Sequence, residues 1–341
     1  MVSARSLEVL RVIVSDYVAN REPVGSKSIA QRHGFGVSSA TIRNDMAQLE
    51  EAELIEAPHT SSGRVPTDKG YRVFVDHLAE HRPMSAAQRR AIHSFLAGAN
   101  DLDEVLVRSV RTLARLTSSV AIAQYPSLVQ ASIRHVEFVR LGERRILTVL
   151  VTDSGRVEQR VAEAAAPVSE ELLLTVRERF GARMLDRTIP EAIESLRDLS
   201  EVLPPEDAEL VAPVVANLIE QLAANRRDRV VVAGAANLAR SEADFPSSIL
   251  PVLEAIEEQV VLLRLLGEVD GGEGVEVRIG RENAQSELSE TSVLSTDYQA
   301  DGGTARLGVL GPTRMDYSGN MAAVRAVARY LSRALDDGRA G

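Results

Sequence analysis

The chain has 341 residues, 45% of them hydrophobic, a formal charge of −10, no cysteine and no tryptophan. That length supports two or three separately cored domains, while the missing cysteine excludes structural disulfides, thiolate nucleophiles and Cys-ligated zinc. No apolar run approaches the roughly eighteen residues of a membrane helix, and no apolar stretch follows the N-terminal basic residues, so a cytoplasmic chain without a membrane partner is expected.

Leu7, Leu10, Ile13, Val14 and Tyr17 share one side of a first helix that Pro23 and Gly25 must end. Ser26 to Arg32 predicts a short second helix capped by Ser26, with Ile29 and Ala30 inward, and Gly34 with Gly36 turns the chain. A third helix starts at Ser38 or Ser39, either of which offers a capping hydroxyl. Ile42, Met46 and Leu49 face inward, while Ala40, Arg43, Asn44, Ala47 and Gln48 form an outer face without a large apolar residue. Such a face fits the major groove: Arg pairs with guanine, Asn or Gln with adenine, and alanine permits close approach.

Leu54 and Ile55 begin an extended segment, Pro58 to Gly63 supplies a turn, and Arg64 with Val65 returns. Thr67 then caps a fourth helix holding Tyr71, Phe74, Val75 and Leu78. The order helix, helix, helix, wing, helix predicts a winged helix-turn-helix over residues 1–82, with the third helix in the groove and the wing on the backbone. Candidate DNA contacts are Ser26, Lys27, Ser38, Ser39, Ala40, Thr41, Arg43, Asn44, Gln48, His59, Arg64 and Lys69. Lys27 and Lys69, the only lysines, each fall in the first turn of a predicted helix, where phosphates would lie. Residues 1–82 carry ten basic against eleven acidic groups, so non-specific electrostatics is a weak footing and a second copy is expected to help.

Past residue 83 a helical region is expected to about Leu116, then strands at Ser119 to Gln124, Ile133 to Leu141, Arg145 to Thr152 and Val157 to Ala162. Residues 168–225 read as helical, with apolar runs at Leu172 to Val176 and Val211 to Leu222. Val230 to Ala233 is a strand, Ile249 to Leu266 one amphipathic helix, and Val275 to Ile279, Ser292 to Tyr298 and Ala305 to Leu310 are strands before a last helix, Ser318 to Leu335. Strands on both sides of a helical block predict an α+β multidomain chain with one domain interrupted by an insertion.

PVGSKSIA at 23–30, SSATIRNDMAQLE at 38–50, PHTSSGRVPTDKGYRVFVD at 58–76, IGRENAQSELSETSV at 279–293 and GPTRMDYSGNM at 311–321 together resemble the heat-inducible transcription repressor family HrcA. That family usually has alanine where Ser62 stands, a small-for-small change expected to matter little. The resemblance implies a winged helix at 1–82, a GAF-like domain in two segments at 83–165 and 226–341, and a helix-rich inserted dimerisation domain at 166–225. It also implies a homodimer on CIRCE, an inverted repeat upstream of chaperonin operons, and repression maintained by the GroEL chaperonin and lost on heating.

Within GPTRMDY, Arg314 and Asp316 are expected to pair with each other at a strand-to-helix connection rather than cradle an anion, and Glu282 with Asn283 to cap a turn. No catalytic residues, cofactor or metal are expected: no nucleophile stands by a base, no carboxylate pair stands out, and the six histidines lack ligand spacing. The competing expectation is a small-molecule sensor that uses a GAF-like pocket, with the winged helix as its output.

Overall fold

The Ser3 hydroxyl accepts from the Ser6 N–H and so starts the first helix, α1, at Ala4–Asn20, one residue before Arg21 turns left-handed. The computed structural model describes residues 2–59, 62–78, 84–86, 90, 92, 102–126, 132–153, 157–197, 202–224, 229–245, 247–267, 274–300 and 303–337. Phe95 and Leu96 of the expected helix after Pro83 lie outside those residues. Next come α2 (Ser26–Arg32), α3 (Ser39–Glu51), the two-stranded wing β1 (Ile55–Glu56) and β2 (Val65–Pro66), and α4 (Asp68–Val73), which continues as one π turn over Phe74–Leu78. Thr67 caps α4 as expected, its hydroxyl oxygen accepting from the Gly70 N–H at 3.1 Å. Ser26 does not cap α2: Gly25 holds that position, and Ser26 is already the first helical residue.

Beyond the winged helix, α5 (Leu102–Thr117) leads into β3 (Val120–Gln124). This strand pairs antiparallel with β7 (Val230–Ala233) on one side and β10 (Gly303–Pro312) on the other. With β8 (Glu276–Ile279) and β9 (Thr291–Ala300) they form a five-stranded sheet, ordered β7-β3-β10-β9-β8. Alternation divides its side chains between two layers. Ala121, Ala123, Leu307 and Val309 face α5 and the last helix, α12 (Tyr317–Asp337). Val120, Ile122, Val293 and Leu310 face α10 (Leu250–Glu257) and α11 (Gln259–Gly267), which follow the short α9 (Ala235–Arg240). One continuous helix over 249–266 would carry Gln259 into the apolar stripe between Ala255 and Leu262. A break at Glu258, in extended conformation, leaves Gln259 exposed instead.

Because β3 and β7 are sheet neighbours, everything between them is one excursion from the sheet. It holds β4 (Ile133–Arg140), β5 (Arg145–Thr152) and β6 (Val157–Glu163) in a second antiparallel sheet, followed by α6 (Glu170–Met184), α7 (Ile189–Ser195) and α8 (Pro205–Ala224). These pack as one core running from Ile133 to Leu222, with Phe138 edge-on to Phe180 at 5.9 Å. The expected edge near residue 166 therefore does not separate two cores: β4 to β6 bury Val136, Phe138, Ile146 and Leu150 against the helices of the excursion, not against the five-stranded sheet. Leu173 and Leu218, on the apolar runs of the block that the resemblance implies is a dimerisation domain, are buried in this same core.

Candidate nucleic-acid interface

α3 is set by its cap and its inner face. The Ser38 hydroxyl accepts from the Thr41 N–H at 3.2 Å and lies 3.1 Å from the Thr41 hydroxyl, so α3 opens at Ser39. Ile42, Met46 and Leu49 are buried, while Ala40, Arg43, Asn44, Ala47 and Gln48 are exposed along the opposite side, the arrangement their spacing predicts. Gln48 is not wholly free, because its Oε1 accepts from the Ser6 hydroxyl at 3.1 Å; its amide nitrogen is left to donate outward.

Sequence reasoning missed Asp45. It sits on the inner face of α3, 2% exposed, where its two oxygens accept from Arg5 Nε at 2.8 Å and Nη2 at 3.1 Å, and one also from the Ser6 hydroxyl at 3.0 Å. A carboxylate in an apolar stripe was the available signal, since a buried charge requires a partner. The Arg5 guanidinium, helped by Ser6, holds the Asp45 carboxyl below its usual range although burial pushes the other way. A depressed carboxylate contributes stability that is present above its unfolded value, about 3.9, and is lost as pH falls through the folded value. The melting temperature should accordingly drop on acidification below about pH 4, and Asp45→Asn should lower it near neutrality and flatten part of that acid decline. An identical acid limb in the Asp45→Asn protein would remove the pair from the account.

The wing is tied to α3 by charge. Arg64 exchanges two backbone hydrogen bonds with Val24 at 2.9 Å, and its Nη2 and Nε reach Glu50 of α3 at 2.9 and 3.1 Å. Lys69 reaches Glu53 at 3.3 Å across an exposed pair. Ser62, where alanine was expected to serve equally, closes the wing turn: its hydroxyl accepts from the His59 N–H at 3.0 Å and donates to the His59 carbonyl at 2.6 Å. His59 is exposed at that turn, and Lys27 is exposed in the first turn of α2. Of the twelve candidate residues, Ser26, Lys27, Ser38, Ser39, Ala40, Thr41, Arg43, Asn44 and Gln48 lie on α2, α3 or its cap, and His59, Arg64 and Lys69 on or beside the wing.

Both C-terminal motifs grip this unit from behind. The expected Arg314–Asp316 pair does not form: Arg314 binds Asp244 with Nε at 2.7 Å and Nη2 at 2.9 Å, and its Nη1 donates to the Val18 carbonyl at the end of α1 at 2.6 Å. Asp316 instead accepts from the Gly319 N–H and starts α12. Arg21, just past α1, reaches the same Asp244 at 3.1 Å. On the other side, Arg72 of α4 binds Glu282, whose Oε2 also accepts from the Ile279 N–H at 2.8 Å, so Glu282 does cap its turn as expected. Burial pushes the Glu282 carboxyl up, but Arg72, the Ile279 N–H and Arg278 together outweigh it and the net shift is downward. Gly280, at φ 55°, brings its backbone against the Asp68 carboxylate, where any side chain would collide. Between the two sites Tyr71 packs on Tyr317, ring centroids 5.6 Å apart.

Two family models match the chain: the winged helix-turn-helix transcription repressor, HrcA DNA-binding, over residues 1–78, and the HrcA protein C terminal domain over residues 103–321. The chain is 61% identical over 339 residues to the heat-inducible transcription repressor HrcA of Clavibacter michiganensis subsp. michiganensis, covering 99% of this chain and 100% of that one. It is 59% identical to the HrcA of Leifsonia xyli subsp. xyli, with the same coverage, and 53% identical to that of Streptomyces avermitilis, covering 98% and 99%. A solved crystal structure of a hypothetical protein superposes with a TM-score of 0.71 at 25% identity, covering 99% of both chains.

Proposed function

The chain belongs to the HrcA family of heat-inducible transcription repressors, non-enzymatic regulators with a winged-helix DNA-binding domain, and from that premise we propose that it is a cytoplasmic homodimer that binds the CIRCE inverted repeat before chaperonin operons and represses them. GroEL keeps the repressor competent, and heat, which diverts the chaperonin to unfolded chains, releases it. The observation that carries the reading is the outer face of α3, where Arg43 and Asn44 stand exposed between Ala40 and Ala47. An arginine and an asparagine flanked by alanines combine guanine and adenine readout with close approach to the base edges. A chaperone that sets the competent fraction makes repression track chaperone availability. A gel shift with the protein's own chaperonin promoter tests this: added GroEL should raise the shifted fraction, and no shift with or without GroEL rejects it.

An inverted repeat requires a two-fold reader, and the open face of the β4-β5-β6 sheet is the surface that fits a second copy. Ile146, Thr148 and Leu150 point into the core, so Leu147, Val149 and Val151 point away from it. Register places Val139 and Val161 beside Leu147, and Val157 beside Val151. Val139, Val157 and Val161 are 40%, 54% and 45% exposed. The apolar row along β5, widened by these valines and flanked at Val149 by Glu137 and Gln159, is the patch that marks an association surface. The five-stranded sheet with α5 and α12 on one face and α10 and α11 on the other is the GAF-like part of this reading.

Wing and α4 should position the domain without reading sequence. Arg64→Ala and Lys69→Ala are each expected to weaken binding to all duplexes alike and to reduce the salt slope by about 1.8 for a dimer, at about 0.9 per lost phosphate contact. Arg64→Ala should cost more, because it also leaves Glu50 uncompensated at the back of α3. A changed base preference at one operator position in either variant would make the wing a base reader instead.

A further inference from the structure

α12 helps line a groove of 790 Å³. Arg329 and Arg333, one helical turn apart, line it with Ala326, Tyr330 and Ser332 of the same helix and with Ala86, Arg90 and Ile92. In a chain of net charge −10, most ion pairs among the described residues engage an arginine, as at Arg5, Arg21, Arg72 and Arg314. Among the described residues, no carboxylate lies within ion-pair reach of Arg90, Arg329 or Arg333. Arg108 of α5, itself paired with Glu104, comes close enough to act on the same ring: burial raises the pKa of the Tyr330 hydroxyl, while Arg108 and Arg333 both pull it down.

Three like charges gathered around a largely apolar groove repel one another and gain from an anion in their midst. The cavity falls within the range of small-molecule sites, roughly 300–1,000 Å³. Arginine matches phosphate oxygens two at a time, and the tyrosine ring offers a stacking surface beside them. A DNA backbone would meet these arginines from outside and leave the buried Ile92 and the half-buried Ala326 unused, whereas a compact ligand with both an anionic and a flat apolar part uses the whole lining.

We propose that this groove is a binding site for a phosphorylated aromatic small molecule of nucleotide size, its phosphates held by Arg329, Arg333 and Arg90 and its ring set against Tyr330. The site is independent of the DNA-reading face and of the repressor assignment, since none of its residues belongs to either. Calorimetric titration of the full-length protein at fixed ionic strength tests it, with adenosine diphosphate, pyrophosphate and adenosine as probes. Adenosine diphosphate should bind at least about tenfold tighter than either half, as two contacts each worth about 1.4 kcal/mol or more would give. Arg329→Gln with Arg333→Gln should weaken it about 100-fold, and Tyr330→Leu about tenfold while leaving pyrophosphate unaffected. Circular dichroism checks that the variants are folded. No heat with any probe, adenosine diphosphate binding unchanged in the double-arginine variant, or pyrophosphate binding as tightly as the diphosphate overturns the proposal.

Discussion

Replacing Arg43 with alanine is expected to abolish specific operator binding in a protein that folds normally. The side chain is exposed on the outer face of α3, so its removal leaves no cavity behind. A bidentate base contact is worth about 1 to 3 kcal/mol of discrimination, and a dimer loses it twice, so the operator affinity should fall by about 2 to 6 kcal/mol, or roughly 30-fold to more than 10⁴-fold. Affinity for unrelated duplex should fall far less. Competition gel shifts with operator and scrambled DNA separate these quantities, and an unchanged ratio between them in the folded variant would take Arg43 out of the reading head.

The second large effect is expected at the open sheet face. Leu147→Asp places a carboxylate in the row formed by Val139, Leu147 and Val161. Desolvating that charge between two copies costs several kcal/mol, more than a patch of this size supplies in reserve, so the variant should sediment as a monomer with its winged helix intact. Operator affinity should then drop by about 10² to 10⁴, the advantage that tethering a second reading helix over the other half-site confers. Leu218→Asp is the contrasting variant. Leu218 is fully buried between α8 and its sheet, so a charge there should unfold the inserted unit instead of dissociating an intact one. A Leu147→Asp protein that remains a dimer with the parent affinity would move the interface elsewhere.

The winged helix was legible because most of its helix boundaries and inner faces are set locally. Ser38 and Thr67 cap within three residues, Ile42, Met46 and Leu49 recur at the helical period, and Gly36, at φ 65°, stands in the turn before α3. Partnerships across the chain were not legible. Period-two alternation shows that β4 to β6 each bury one face, but not which helices bury it, so spacing alone does not reveal that the core of the inserted helices already begins at Ile133. Arg314 stands two residues from Asp316 in sequence yet pairs with Asp244, seventy positions away, and Asp45 gives no local hint that Arg5 approaches it. Ser26 lost its expected capping role to a glycine because both satisfy the backbone requirement of that position and only the three-dimensional course of the turn chooses between them. For the candidate site, the outward face of α3 could be read from spacing alone, whereas the engagement of Gln48, Arg64 and Lys69 by neighbouring side chains could not.

The apolar residues of the winged helix do not close on themselves. Val9, Leu10, Ile29, Ile42, Leu49 and Tyr71 belong to one uninterrupted cluster with Leu106 and Leu113 of α5, Ala121 and Leu307 of the sheet, and Val324 and Leu331 of α12. A core shared in this way is expected to melt as one cooperative unit rather than domain by domain. In that case α3 has no melting transition of its own: warming that loosens the sheet layer around Leu307 should withdraw support from α3 at the same temperature, without a signal having to travel between separate parts.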